Sequence, residues 1–140
     1  MINLDKNDQK IVDILNENSR LSSREISEKT GIRPSTVHSR IQRLIKDRII
    51  EKFSLKLNND ILGRNFVVYL FVETKAIIPN KVFSNEVIEE VYGVTGEYDL
   101  VMKCRFSDIS EFNKFIIDFR KHPQIGKTLT MVGTIAIKEN

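Results

Sequence analysis

The stretch SSREISEKTGIRPSTVHSRIQRLIK, residues 22–46, decides how the first part of this chain folds. Ser22 and Glu25 stand at the S-x-x-E spacing of a capping box, in which the hydroxyl accepts from the backbone of the third helical residue and the carboxylate reaches back to the cap. A short helix therefore begins here, runs through Ile26 and stops at Thr30-Gly31, where glycine takes the left-handed conformation without a steric penalty. Pro34 restarts a helix almost at once, because the N–H it lacks would find no intrahelical partner at the first position. That helix should cover residues 34–46. Two helices joined by a three- or four-residue turn containing Gly have the layout of a helix-turn-helix.

The third helix sorts its side chains. Val37, Ile41, Leu44 and Ile45 fall on one stripe at i, i+4, i+7 and i+8, with Ser35, Ser39, Arg43 and Lys46 opposite and Thr36 and Arg40 flanking them. Small hydroxyl side chains near the helix start allow close approach to base edges, and Arg further along can bind guanine with two hydrogen bonds or hold phosphates. A solvated helix face has the same polarity, so this helix alone does not separate the two readings. Its surroundings do. Asp5 caps a preceding helix that carries Ile11, Ile14 and Leu15 at i, i+3 and i+4, with Asp8 favouring its positive dipole end, and that helix should stop near Asn18. Over residues 33–56, Arg33, Arg40, Arg43, Lys46, Arg48, Lys52 and Lys56 face only Asp47 and Glu51, a local excess that attracts a polyanion although the whole chain carries only +3. The expected partner is double-stranded DNA. The candidate contacts are Ser22, Ser23, Arg33, Ser35, Thr36, His38, Ser39, Arg40, Arg43 and Lys46. His38 has no partner at metal-ligand spacing and reads as a flank residue that touches a phosphate.

At 140 residues the chain has room for one ordinary domain or two small ones. The expected division is a helix-turn-helix domain over 1–52, a linker strand and hinge over 53–63, and a second domain over 64–140. A domain of about 60 residues buries only roughly 60% of the surface its unfolded chain exposes, so two such units gain from association and a homo-oligomer is expected. With 41% apolar and 29% charged residues the composition is globular. No apolar run approaches the roughly 18 to 20 residues of a membrane span, and MINLDKNDQK lacks the layout of a signal peptide, so the expected location is the cytoplasm with no membrane partner. The single Cys104 can form no intrachain disulfide, and the alternation Met102-Lys103-Cys104-Arg105-Phe106 puts it on the apolar side of a strand. There are no paired catalytic carboxylates, no nucleophile with a base, no metal cluster and no phosphate-cradling Gly loop, and His38 and His122 fall in different domains. Neither an enzyme nor a cofactor is expected.

Phe53-Ser54-Leu55-Lys56-Leu57 alternates with period two and reads as a strand, broken by Asn58-Asn59-Asp60, with Gly63-Arg64-Asn65 at the entry to the second domain. The remainder predicts strands over 66–75, 94–95, 98–106 and 127–138 and helices over 79–91 and 108–121. That order is β-α-β-β-α-β, the split arrangement of ferredoxin-like domains, so the fold class is α+β, a winged-helix-like three-helix domain joined by a strand to a ferredoxin-like one. The second helix is the clearest, with Phe112, Phe115, Ile116 and Phe119 at i, i+3, i+4 and i+7 behind an Asp108 cap. The first strand is apolar on both faces. If both helices cover one face, sheet-to-sheet dimerisation is the simple way to bury the other.

Over nearly its whole length the sequence resembles the leucine-responsive regulator (Lrp/AsnC) family of transcription regulators. The resemblance is carried by Leu4-Asp5, Asn18, Arg20-Leu21-Ser22, Glu25-Ile26, Gly31, Val37, Arg40-Ile41, Arg43-Leu44 and Ile49-Ile50, then by Val94-Thr95-Gly96-Glu97-Tyr98-Asp99-Leu100 and by Thr128 and Thr130. It implies sequence-specific DNA binding and dimers formed by the C-terminal domains, often joined into octamers. It also implies an amino-acid effector bound near the Gly-x-x-Asp loop, here Thr95, Gly96, Tyr98 and Asp99. Gly96 would let backbone N–H groups approach a carboxylate and Asp99 would accept from an α-ammonium; a plain β-turn fixed by Asp99 remains the alternative. Two positions depart from the family pattern: Arg33 stands where Ser commonly precedes the Pro, and Arg48 where Gly commonly follows the helix. A regulatory module that senses amino acids and acts through protein contact is the alternative function, and it leaves the basic helix unexplained.

Overall fold

A computed structural model describes residues 4–139, in two compact units divided between Lys56 and Leu57. The first holds three helices, α1 (Lys6–Glu17), α2 (Ser23–Thr30) and α3 (Pro34–Lys46). Their starts and stops are chemical. Asp5 and Asp8 form a capping box on α1, Ser22 and Glu25 form the expected one on α2, and Gly31 closes α2 in the left-handed region at φ +74°. Pro34 opens α3, and Arg33 before it makes no side-chain cap bond. Ile11, Leu15, Ile26, Val37 and Leu44 are buried at the centre, with Leu21, Ile32, Ile41, Ile49 and Ile50 packed around them.

The end of α3 exposes the consequence of placing Arg at position 48. The N–H of Arg48 donates to the Ile45 carbonyl and that of Ile49 to the Leu44 carbonyl, the paired bonds of a Schellman motif. Its left-handed residue is Arg48, at φ +57°, the one non-glycine with positive φ among the described residues. The motif turns Ile49 and Ile50 back onto the core at the expense of backbone strain.

In the second unit β1 (Phe66–Thr74), β2 (Ile88–Gly93), β3 (Leu100–Phe106) and β4 (Ile125–Gly133) form one antiparallel sheet in the order β2-β3-β1-β4, with α4 (Ile109–Phe119) between β3 and β4. This is the ferredoxin-like strand order. Val68, Leu70 and Val72 of β1 lie on the covered face with Met102, Cys104 and Phe106 of β3, beneath Phe112, Ile116 and Phe119 of α4. Phe106 meets Phe112 edge-on at 5.5 Å. Burial pushes the Cys104 thiol up to about 12, which leaves it an inert core group.

Three expected elements differ. The helix over 79–91 is reduced to a 3₁₀ turn, Asn80–Phe83, after which the Asn85 side chain accepts from the Val87 N–H and the chain enters β2. Val87, Ile88, Val91 and Tyr92 are β-branched or aromatic and suit a pleated edge beside β3 better than a helix. Residues 94–95 therefore belong to the loop after β2 and form no strand. Residues 53–57 form none either: no neighbouring strand supplies a ladder, and Phe53, Leu55 and Leu57 are exposed.

With a single helix and a short turn as cover, the second face of the sheet stays open. Paired residues share a face, so Tyr69 with Met131 and Phe71 with Val101 and Leu129 line that side. Tyr69, Leu129 and Met131 are exposed there.

The strain at residue 48 is measurable. Arg48→Gly should raise stability by about 0.5 to 1 kcal/mol, the cost of a left-handed side chain less the entropy that Gly adds to the unfolded chain. Urea unfolding followed by circular dichroism checks it; an unchanged or lower midpoint would contradict the strain.

Candidate DNA interface and ligand loop

Asp8 lies on the same stripe of α1 as Ile11 and Leu15, and it is only 1% exposed. Its Oδ1 accepts from Arg40 Nη1 at 2.7 Å, and its Oδ2 accepts from Arg43 Nη2 and, at 3.3 Å, from the Asp5 backbone. Arg40 Nη1 also donates to Asp5 Oδ2 at 2.6 Å. Withdrawing a carboxylate from water costs several kcal/mol unless its lone pairs are filled, and two guanidinium groups with a backbone N–H fill them here. Burial works to raise the Asp8 pKa, but the hydrogen bonds from Arg40 and Arg43 outweigh it and hold the carboxyl below the usual range. By contrast, the exposed Arg24–Glu28 pair at 3.9 Å contributes at most a few tenths of a kcal/mol.

This clamp divides the expected DNA contacts. Arg40 is turned inward, with a side chain 24% exposed, and Arg43 is half exposed, with one nitrogen committed to Asp8. Arg33, Ser35, His38, Ser39 and Lys46 are exposed, while Ser23 and Thr36 are half-buried. The Ser22 side chain serves the cap of α2, donating to Glu25 at 2.8 Å. Ser39 donates to the carbonyls of Ser35 and Thr36, at 2.9 and 3.2 Å, so its oxygen faces outward as an acceptor. The residue missed by the sequence reading is Gln42, exposed beside Ser39 and Lys46. Positions 35, 39, 42 and 46 follow i, i+4, i+7 and i+11, which was the signal for it. The signal for the clamp was a carboxylate set among the apolar positions of α1, since such a group requires a cation from a neighbouring helix.

The loop between β2 and β3 is tied at both ends. Val94 N–H donates to the Asp99 carbonyl at 2.8 Å, and Asp99 N–H donates to the Val72 carbonyl at 3.0 Å. Asp99 Oδ2 accepts from the backbone N–H and the hydroxyl of Thr74, at 2.6 and 3.0 Å. Gly96 has φ +138°, a conformation that L side chains rarely adopt, and Thr95 is exposed. The Tyr98 ring lies 5.8 Å from Phe71 on the open face, with Lys127 Nζ 5.6 Å above it and bound to Glu97 at 3.1 Å. The four loop residues thus stand together at one end of the sheet. Asp99 is first of all the tie between loop and β1. Among the described residues no group of three or more His, Cys, Asp or Glu could hold a metal ion, and no helix is long and apolar enough to cross a membrane.

Two helices joined through Gly31, the second with a bare basic face, followed by an antiparallel sheet with a tied loop at one end, define a helix-turn-helix DNA-binding protein with an appended α+β domain. Residues 4–51 match the family model of winged helix-turn-helix DNA-binding domains and residues 79–140 that of the Lrp/AsnC ligand binding domain. The chain belongs to the Lrp/AsnC family of DNA-binding transcription regulators, a family without enzymatic activity. It is 38% identical to the helix-turn-helix transcriptional regulator FL11 of Pyrococcus furiosus, covering 81% of this chain and 78% of that one. It is 36% identical to FL11 of Pyrococcus abyssi, covering 99% and 94%. In fold it is similar to a Neisseria meningitidis transcriptional regulator solved as an L-methionine complex, with TM-score 0.90, 24% identity and coverage of 98% and 94%.

The clamp makes stability depend on pH. Because the folded pKa of Asp8 is lowered, its contribution is complete above the unfolded value of 3.8 and is lost as pH falls through the folded one. Acid unfolding followed by circular dichroism should show the helical unit weakening below about pH 4. Asp8→Asn should cost about 3 to 5 kcal/mol at neutral pH and flatten that dependence. A variant as stable as the parent would show that the clamp contributes nothing.

Proposed function

We propose that this regulator reads a specific DNA sequence as a homo-oligomer in the cytoplasm and that an amino acid tunes its binding. The observation carrying the reading is the outward face of α3, a row of Ser35, Ser39, Gln42 and Lys46 bordered by Arg33, His38 and Arg43, bare of protein cover in its own unit. Its small polar start suits base edges and its basic end suits phosphates. Ser22, Ser23 and Thr36 complete the contact set. Arg40 contributes by holding the helix. A module acting only through protein contacts would leave this face without a purpose.

Pairing of copies is supported by the open sheet face, where Tyr69, Leu129 and Met131 place apolar surface in water and Phe71 lies half-buried beside them. Two copies would then present two α3 helices to half-sites one helical turn, or a multiple of it, apart. The effector reading rests on the loop of Thr95, Gly96, Tyr98 and Asp99. Oδ1 of Asp99 would meet an α-ammonium, and the backbone around Gly96 would meet a carboxylate. The Neisseria meningitidis regulator and a Mycobacterium tuberculosis feast or famine regulatory protein were both solved with L-methionine, which makes that amino acid the first to try.

Fluorescence anisotropy with fragments selected from genomic DNA tests the proposal. Log affinity should fall linearly with log salt, by roughly 0.9 for each phosphate neutralised, and Lys46→Ala should reduce the slope by about 1 per bound copy. Salt-independent or absent binding would remove the reading. Repeating the titration across a panel of amino acids tests the effector, and affinities unmoved by all of them would remove that part. Sedimentation velocity should find the full chain as a dimer or larger and Met131→Lys as a smaller species. A monomeric parent chain would contradict the pairing.

A further inference from the structure

Side chains that read sequence need hydrogen-bonding groups that are free, outward and matched to one base pair. The Asp8 clamp and the backbone of α3 engage several of the polar groups on and beside the outward row. Arg40, of a type that can pair with guanine, has its Nη1 on both Asp5 and Asp8, away from the exposed row. Arg43 has Nη2 on Asp8. The Ser39 hydroxyl has given its proton to the carbonyls of Ser35 and Thr36 and can only accept. Lys46 is a point charge with donors alone, suited to a phosphate.

Gln42 differs from all of these. It is exposed, sits between Ser39 and Lys46 on the outward row, and carries a carbonyl and an NH₂ side by side in one plane. Adenine shows the complementary pair in the major groove, an N7 acceptor beside an N6 donor, whereas guanine shows two acceptors, N7 and O6. A single amide can therefore satisfy both groups of adenine, whereas on guanine its NH₂ meets an acceptor and its carbonyl finds no donor. Gln42 also lies about 12 Å along α3 from Pro34, far enough from the helix start for Ser35 and Ser39 to approach neighbouring bases without competing for the same pair.

Resting on the DNA-binding reading above, we propose that Gln42 is a specificity-determining residue and reads an A·T pair through the adenine edge in the major groove, while Arg40 is a positioning residue that acts through Asp8. The division of labour separates two kinds of loss. Removing the Gln42 amide erases preference at one base position in each half-site and leaves the fold alone. Removing the Arg40 guanidinium loosens α3 against α1 and weakens binding to all sequences alike.

Random-sequence selection with the full chain, followed by affinity measurement on the selected site, tests this for the parent, Gln42→Ala, Gln42→Arg and Arg40→Lys. The parent should select adenine at one position of each half-site. Gln42→Ala should lose that preference, keep the others, keep its salt slope and bind the parental site roughly 5- to 100-fold more weakly. Gln42→Arg should shift the same position towards guanine. Arg40→Lys, which keeps one charged donor for Asp8, should retain the parental base preferences with a lowered melting temperature. If Gln42→Ala keeps the parental preference at every position, the assignment is overturned although the chain still binds DNA. If the parent shows no salt-dependent DNA binding at all, the broader reading fails with it.

Discussion

Asp8 takes hydrogen bonds from Arg40 and Arg43 on successive turns of α3 while its own helix carries Ile11 and Leu15 into the same core. Hydrophobic packing of Val37 and Leu44 fixes which side of α3 faces inward but tolerates small changes of roll, because apolar contacts are non-directional. A buried carboxylate held by two guanidinium groups is directional, and losing one of its partners is costly. The roll of the helix is set by that geometry. The row of Ser35, Ser39, Gln42 and Lys46 faces outward as a consequence.

The same economy of cover shapes the second unit. One helix and a 3₁₀ turn protect a single face of a four-stranded sheet. On the other face the β1 and β4 side is apolar, through Tyr69, Leu129 and Met131. The β2 and β3 side is charged, with Arg105 buried between Glu89 and Glu139 and Lys103 beside them. In the proposed pairing of copies, the apolar surface would supply the driving force and the ionic edge the register. The loop of Thr95 to Asp99 closes one end of that sheet and is tied to β1 through Thr74, so a ligand held by the loop would act directly on the strand at the centre of the open face.

The helical unit was almost wholly legible in the sequence, because its signals are local. The Ser22–Glu25 box, Gly31 and Pro34 act within one turn of themselves, and α2 and α3 begin and end where those residues require. Arg33 and Arg48 were legible as departures, and the structure gives each a physical form, an uncapped start and a left-handed φ. Tertiary partnership was not legible. Arg40 reads as a DNA contact from its place on α3, and nothing local shows that Asp8, more than thirty residues earlier, also binds it. The 79–91 segment reads as a helix for a related reason: an edge strand is decided by the vacancy beside β3 and by an Asn85 turn, and its own alternation is broken by a bulge. The 53–57 alternation is real, yet a strand needs a neighbour, and none pairs with this segment among the described residues.

In the proposed function the outward row of α3 enters the major groove. Dimethyl sulfate footprinting on a selected site reports it directly, because the reagent methylates guanine N7 in the major groove and adenine N3 in the minor groove. Protection of guanine N7 is expected in two patches about one helical turn, or a multiple of it, apart, with adenine N3 still reactive beneath them. Protection confined to adenine N3, with guanine N7 reactive throughout the bound site, would contradict it.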